Sequence, residues 1–266
     1  MISSESSIAN NSPNEWDFWL QTAPGKYILD WECRQFHQAV DDAFGYEALQ
    51  MGFPQLDCLS ENRIPNRWLM LMPNEYVSKD RAIGATPICH ASIYDLPFAN
   101  ESLDLIALPH ILEFAANPHE ALREIHRVLR PEGRIVISGF NPISLWGLRQ
   151  YCGRLINRPF LPKSGQFISH LRIKDWLNLL NYSIDRGKFG CYGIPLRKES
   201  QIKRLNFLEK AGNRWWPFLG SVFMLSAIKR VPGMKLVGRF HPPKHSLKST
   251  LTPATQSHHH LEKDHV

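Results

Sequence analysis

The sequence predicts an α/β fold built on a mostly parallel sheet, and three observations predict it. First, Leu103 to Leu108 (LDLIAL) is a mostly apolar run bounded by polar residues, the pattern of a strand covered on both faces. Second, Asn117-Pro118 with Glu120 reads as a helix start, with a capping side chain, a proline at the first helical position and an acid in the first turn. Third, Arg130-Pro131-Glu132-Gly133 is a tight-turn signal followed at once by the strand-like run Arg134 to Ser138 (RIVIS). Strand, capped helix, turn and strand make a βαβ unit, which requires parallel strands and a right-handed crossover.

The remaining elements follow in order. Tyr27 to Phe44 has Ile28, Trp31, Phe36, Ala39 and Val40 near one helical face and ends at Gly45, a residue suited to the position after a helix. Tyr46 to Met51, Trp68 to Met72 and Thr86 to His90 read as short strands. The segment QLDCLSENRIPN between the first two is too short and too interrupted for a long helix. Ala121, Leu122, Ile125, Val128 and Leu129 share one face of the helix that Asn117 opens. Asn141-Pro142 repeats the capping signal before a helix through Leu145, Leu148 and Leu155. A helix from Arg172 to Leu180, a strand from Ser183 to Phe189 and a last strand from Ser221 to Ile228 complete the domain.

Composition bounds the function. The chain has 266 residues, 43% hydrophobic and 21% charged, enough for a core without disulfides or metal. Five scattered cysteines without a CxxC pair suggest neither a disulfide framework nor a zinc site, and point to a reducing, cytoplasmic setting. The start of the sequence lacks a basic region followed by an apolar one, so it does not read as a signal peptide. Trp215 to Ile228, the most apolar window, is too short to span a bilayer. The net charge of +6 is concentrated from Lys229 onward, where seven Lys and Arg face two Asp and Glu. The expected organisation is a flexible lead over residues 1–24, a domain over 25–230 with a helical insertion at about 195–216, and a basic disordered tail over 231–266. The tail offers a salt-sensitive nucleic-acid contact as an alternative to a merely solvated end.

The motifs Asp95-Leu96-Pro97-Phe98, Ser102 to Ile106 and Leu122 to Gly133 (LREIHRVLRPEG) together resemble the type-11 domain of the class I S-adenosylmethionine-dependent methyltransferases. The resemblance implies a Rossmann-like three-layer sandwich whose mostly parallel sheet has an antiparallel last strand. It implies S-adenosylmethionine as cofactor, lying at the carboxyl ends of the strands near the topological switch point. Carried onto this sequence, the cofactor positions are Gln50 and Gly52 after the first strand, Ser92 and Ile93 after the third, and Leu108, Pro109 and His110 after the fourth.

The loop Leu49-Gln50-Met51-Gly52-Phe53-Pro54 keeps one glycine of the family's glycine-rich turn, has Gln50 in its acidic place and has Pro54, which removes a backbone donor. Ser92 stands where an acid usually receives the adenine amino group, and Glu75 is the available acid after the second strand. His110 is the candidate general base. Phe140 and Asn141 would meet the acceptor, and Ile111, Leu112, Phe140 and Trp146 favour a hydrophobic small molecule. Asp95 and Asp104 read as turn and strand-end residues, and Arg197 to Arg214 as a packed amphipathic stretch or as a lid or lipid surface. Two readings stay open: a methyltransferase, or a non-catalytic scaffold or binding protein that keeps the fold.

Overall fold

The computed structural model describes residues 13–72, 86–156, 161, 165–193 and 207–231. All lie in the first of two units, Met1–Pro232. The basic tail, Glu75 and most of the segment before residue 207 fall outside the described residues.

Seven strands form one sheet: β1 Glu47–Met51, β2 Asn66–Leu71, β3 Ile88–His90, β4 Leu103–Pro109, β5 Leu129–Phe140, β6 Tyr182–Gly190 and β7 Val222–Lys229. Their order is β3-β2-β1-β4-β5-β7-β6. β1, β2, β3, β4 and β5 pair in parallel, and β7 runs antiparallel between β5 and β6. The chain builds outward from β1 to β3, then returns to lay β4 on the other side of β1. That reversal places the switch point at the carboxyl ends of β1 and β4.

β4 shows why the sequence lacked alternation. Leu105 and Ala107 join the core on one face, Ile106 and Leu108 the core on the other. The first face is covered by helices α1 (Pro13–Leu20) and α2 (Ala23–Val40) and by the helix-free connection 52–65. The second is covered by α3 (Ile111–Phe114), α4 (Pro118–Val128) and α6 (His170–Leu179), and the described residues also form α5 (Leu145–Leu155) and α7 (Phe207–Trp215).

Three sequence expectations are corrected. Residues 13–24 are not part of a flexible lead: α1 buries Trp16, Trp19 and Leu20, and Thr22 caps α2 by accepting from the Gly25 amide. Polar composition hid two tryptophans at helical spacing. α2 therefore begins four residues earlier than its apolar stripe suggested. It also ends earlier, at Val40, because Asn62 donates to the carbonyls of Val40 and Ala43 (3.0 Å to the latter) and satisfies the helix end there. Finally, the chain enters the sheet at Leu129, opposite Leu103, bulges through the Pro131-Glu132-Gly133 turn and resumes register at Arg134 opposite Leu105.

The helix start at Asn117 is as read: its side chain accepts from the Glu120 amide at 3.5 Å, with Pro118 at the first helical position. Asn117→Ala is expected to cost about 1 kcal/mol in urea unfolding, through loss of that cap. Asp104 is a structural carboxylate. It accepts from the amides of Tyr46 (2.7 Å) and Glu47 (3.0 Å) and pairs with Arg130, and these partners hold its carboxyl below its ordinary range although burial opposes them.

Candidate active site

At the switch point β4 ends in Pro109 and hands the chain to His110, which has left-handed backbone (φ 53°). The His110 amide donates to Ser138 O at 3.1 Å, so the turn is tied to β5 while the ring swings under the α1–α2 face. There the imidazole lies between two carboxylates, Nδ1 at 3.0 Å from Glu113 and Nε2 at 2.9 Å from Glu32. All three side chains are buried. Glu113 is fixed further by accepting from the Phe140 amide at 2.5 Å. Glu32 Oε1 has no other partner among the described residues. Burial by itself would lower the His110 pKa, but the charges of Glu32 and Glu113 prevail and raise it to about 10. The same burial pushes the Glu113 carboxyl up against the pull of His110.

Aromatic rings close over this triad. The Phe140 ring lies 4.4 Å from His110, centroid to centroid, and Phe53 lies 5.5 Å away. Trp16, delivered by α1, sits among them at 5.7 Å from Phe140, 6.1 Å from Phe53, 5.4 Å from Phe114 and 6.4 Å from His110. These are ordinary ring-packing separations, so the indole fills the space between the ends of β1 and β4.

The loop after β1 folds around its own glutamine. Gln50 Nε2 donates to the carbonyls of Leu56 (2.6 Å), Phe53 (3.1 Å) and Gly52 (3.3 Å), and Gln50 Oε1 accepts from the Cys58 amide at 3.0 Å. The Gly52 amide is used by Met70 O at 2.7 Å. Gly52 has φ +68°, and a Cβ there would stand 2.9 Å from Ile111 Cδ1, so its glycine identity is explained by backbone strain and by the close approach of α3.

The other sequence-derived positions divide in two. Leu108 and Pro109 are buried at the end of β4, Leu108 in the core of the opposite face, and Phe140 packs on the His110 ring. Ser92 and Ile93 serve their own turn: Ser92 O accepts from the Asp95 amide, Ser92 Oγ from the Tyr94 amide, and Ile93 joins the core of the opposite face. Asn141 is fully buried and spent on structure, donating to the carbonyls of Phe218 (2.8 Å) and Gly220 (3.0 Å). Sequence reasoning missed Glu32, Glu113, Trp16 and Phe53. Glu32 left a trace, a lone acid on the apolar stripe between Ile28 and Phe36.

The comparisons bear on this arrangement. A methyltransferase domain model matches residues 71–137, the span from the end of β2 into β5. A SAM-dependent methyltransferase from Thermotoga maritima superposes with a TM-score of 0.56 at 15% identity, over 84% of this chain and 98% of that one. This chain has the fold of that methyltransferase. The uncharacterized protein YafS of Escherichia coli K12 is 45% identical over 89 residues, which is 34% of this chain and 36% of that protein. A demethylmenaquinone methyltransferase of Chlamydia pneumoniae is 26% identical over 137 residues, 46% of this chain and 60% of that protein. The chain thus covers less than two thirds of the length of these curated relatives.

The cofactor associated with this methyltransferase fold is S-adenosylmethionine. In the conformation described, the residues do not fit it. The carbonyls of Gly52, Phe53 and Leu56 and the amide of Cys58 bond to Gln50, the Gly52 amide bonds to Met70 O, and Trp16 and Phe53 occupy the cleft.

Proposed function

We propose that the protein is an S-adenosylmethionine-dependent methyltransferase acting on a hydrophobic small molecule, with α1 as a movable cover of the cleft. The observation that carries the reading is the methyltransferase domain match over residues 71–137, which takes in β3, β4 with its end at the switch point, and most of β5. The acceptor class follows from the walls: Trp16, Phe53, Phe114 and Phe140 would offer an apolar surface once separated, and one relative is named for demethylmenaquinone. The five thiols are all free, in keeping with a cytoplasmic setting.

His110, protonated at neutral pH between two carboxylates, is unsuited to accept a proton while the triad is intact. We assign it a positioning role, holding Glu113 against the Phe140 amide and α2 against the switch point.

The closed cleft also supports the second reading, a scaffold that retains the fold without binding cofactor. Calorimetric titration of S-adenosylmethionine and S-adenosylhomocysteine into the full chain and into Trp16→Ala separates the two. If closure by α1 masks a competent site, the variant binds at least about tenfold more tightly, since affinity scales with the open fraction. If neither chain binds at millimolar ligand, and circular dichroism shows both folded, the enzyme reading fails and the scaffold reading stands.

A further inference from the structure

Helix α5 faces the wrong way for a helix surrounded by water. Its polar Gln150 is buried and exchanges hydrogen bonds with the Leu161 backbone (2.7 and 3.1 Å), and Trp146 is buried with its indole N–H donating to Gly193 O at 2.7 Å. Leu145 and Leu148, on the outward face, are exposed, as is Ile156 just beyond the helix end, at 51% to 71%. A helix ordinarily presents its polar stripe to solvent, so this inversion calls for a partner that is itself apolar.

The patch has a second component at the same corner of the sheet. Asn141, which leads into α5, ties the end of β5 to Phe218 and Gly220 just before β7. On that segment Trp215, Trp216 and Phe218 are all more than half exposed. Charge then selects the partner. Helix α5 carries Arg149 and Arg154 and no Asp or Glu, and Arg214 adjoins the two tryptophans.

We propose that this corner, α5 together with the Trp215–Phe218 segment, docks on the surface of a bilayer containing anionic lipid. Aliphatic side chains would enter the acyl boundary, tryptophans would sit at headgroup level and arginines would meet lipid phosphates, the division of labour of an interfacial amphipathic helix. A second copy of the chain is a poorer occupant, because it would oppose one basic surface to another. Nucleic acid would match the charge and leave the leucines and isoleucine in water. The inference does not depend on cofactor binding.

The test is co-sedimentation of the full chain with phosphatidylglycerol–phosphatidylcholine vesicles and with phosphatidylcholine vesicles alone, beside the double variant Leu148→Glu, Phe218→Glu. Both positions are exposed, and a thermal melt checks that the variant folds. The chain is expected to pellet with the anionic vesicles, to lose binding at about 0.5 M salt, and to bind at least about tenfold less as the variant. Three results would each overturn the proposal. One is no pelleting of the parent chain. Another is equal pelleting of parent and variant, which would assign the attraction to the basic tail that both retain. The third is a dimer in gel filtration without vesicles that the variant abolishes.

Discussion

His110→Ala is expected to destabilise the protein by about 3–5 kcal/mol at neutral pH, the cost of leaving buried charge without its partner. The imidazolium lies 2.9 and 3.0 Å from two carboxylates that are themselves shut away from water, and no other cation is paired with either carboxylate among the described residues. Urea unfolding of parent and variant measures the difference, and equal stabilities would refute the buried triad.

The pH dependence gives an independent reading. The folded-state pKa of His110 is raised from 6.5 to about 10, so its stabilising contribution is complete below pH 6.5 and is lost as pH rises toward about 10. Glu113, whose carboxyl burial pushes upward, acts in the same direction at lower pH. The parent should therefore melt at progressively lower temperature across the alkaline range, while His110→Ala should show a flatter profile there. Acidification should narrow the gap between the two, because the abandoned carboxylates then take up protons. Glu113→Gln should behave more mildly than His110→Ala, since Glu32 still faces the imidazolium and an amide oxygen can still accept from Phe140.

How much of this was legible in the sequence differs between the fold and the site. The strands that carry the fold announced themselves through local physics. LDLIAL is apolar apart from Asp104 because Leu105 and Ile106 feed opposite cores, and Asn117-Pro118 carries its own cap. The site depends on long-range closure, which leaves little local trace. Trp16 meets Phe140 across most of the domain, and nothing in a Ser- and Asn-rich lead signals that its tryptophans will be buried. His110 could be placed after β4 from the motif alone. That its ring would be gripped from both sides required Glu32 on α2, and the periodicity of that helix treats the position as an anomaly. Asn141 was ambiguous for a different reason: a capping residue and a substrate residue look alike until the partners at Phe218 and Gly220 are known.

Gln50 offers the sharpest case, because the family resemblance expects an acid at its position. Gln50→Glu is expected to destabilise by about 3 kcal/mol or more at neutral pH, although the two side chains are nearly isosteric. The pocket explains why. Three carbonyls, of Gly52, Phe53 and Leu56, point at Nε2, and the Cys58 amide points at Oε1. A carboxylate would keep the bond from Cys58, lose the donors to three carbonyls and bring a buried negative charge against their oxygens. Its folded-state pKa would rise, so the deficit should be small below the ordinary glutamate range of about 4 and should grow as pH increases through the raised value. Gln50→Leu separates the contributions: it removes the same donors without adding charge, and its deficit should not depend on pH. Thermal melts of the three chains from acid to neutral pH decide the matter. A Gln50→Glu chain as stable as its parent at pH 7 would mean that the loop turns amides rather than carbonyls inward, the geometry that would leave the cleft open to a cofactor.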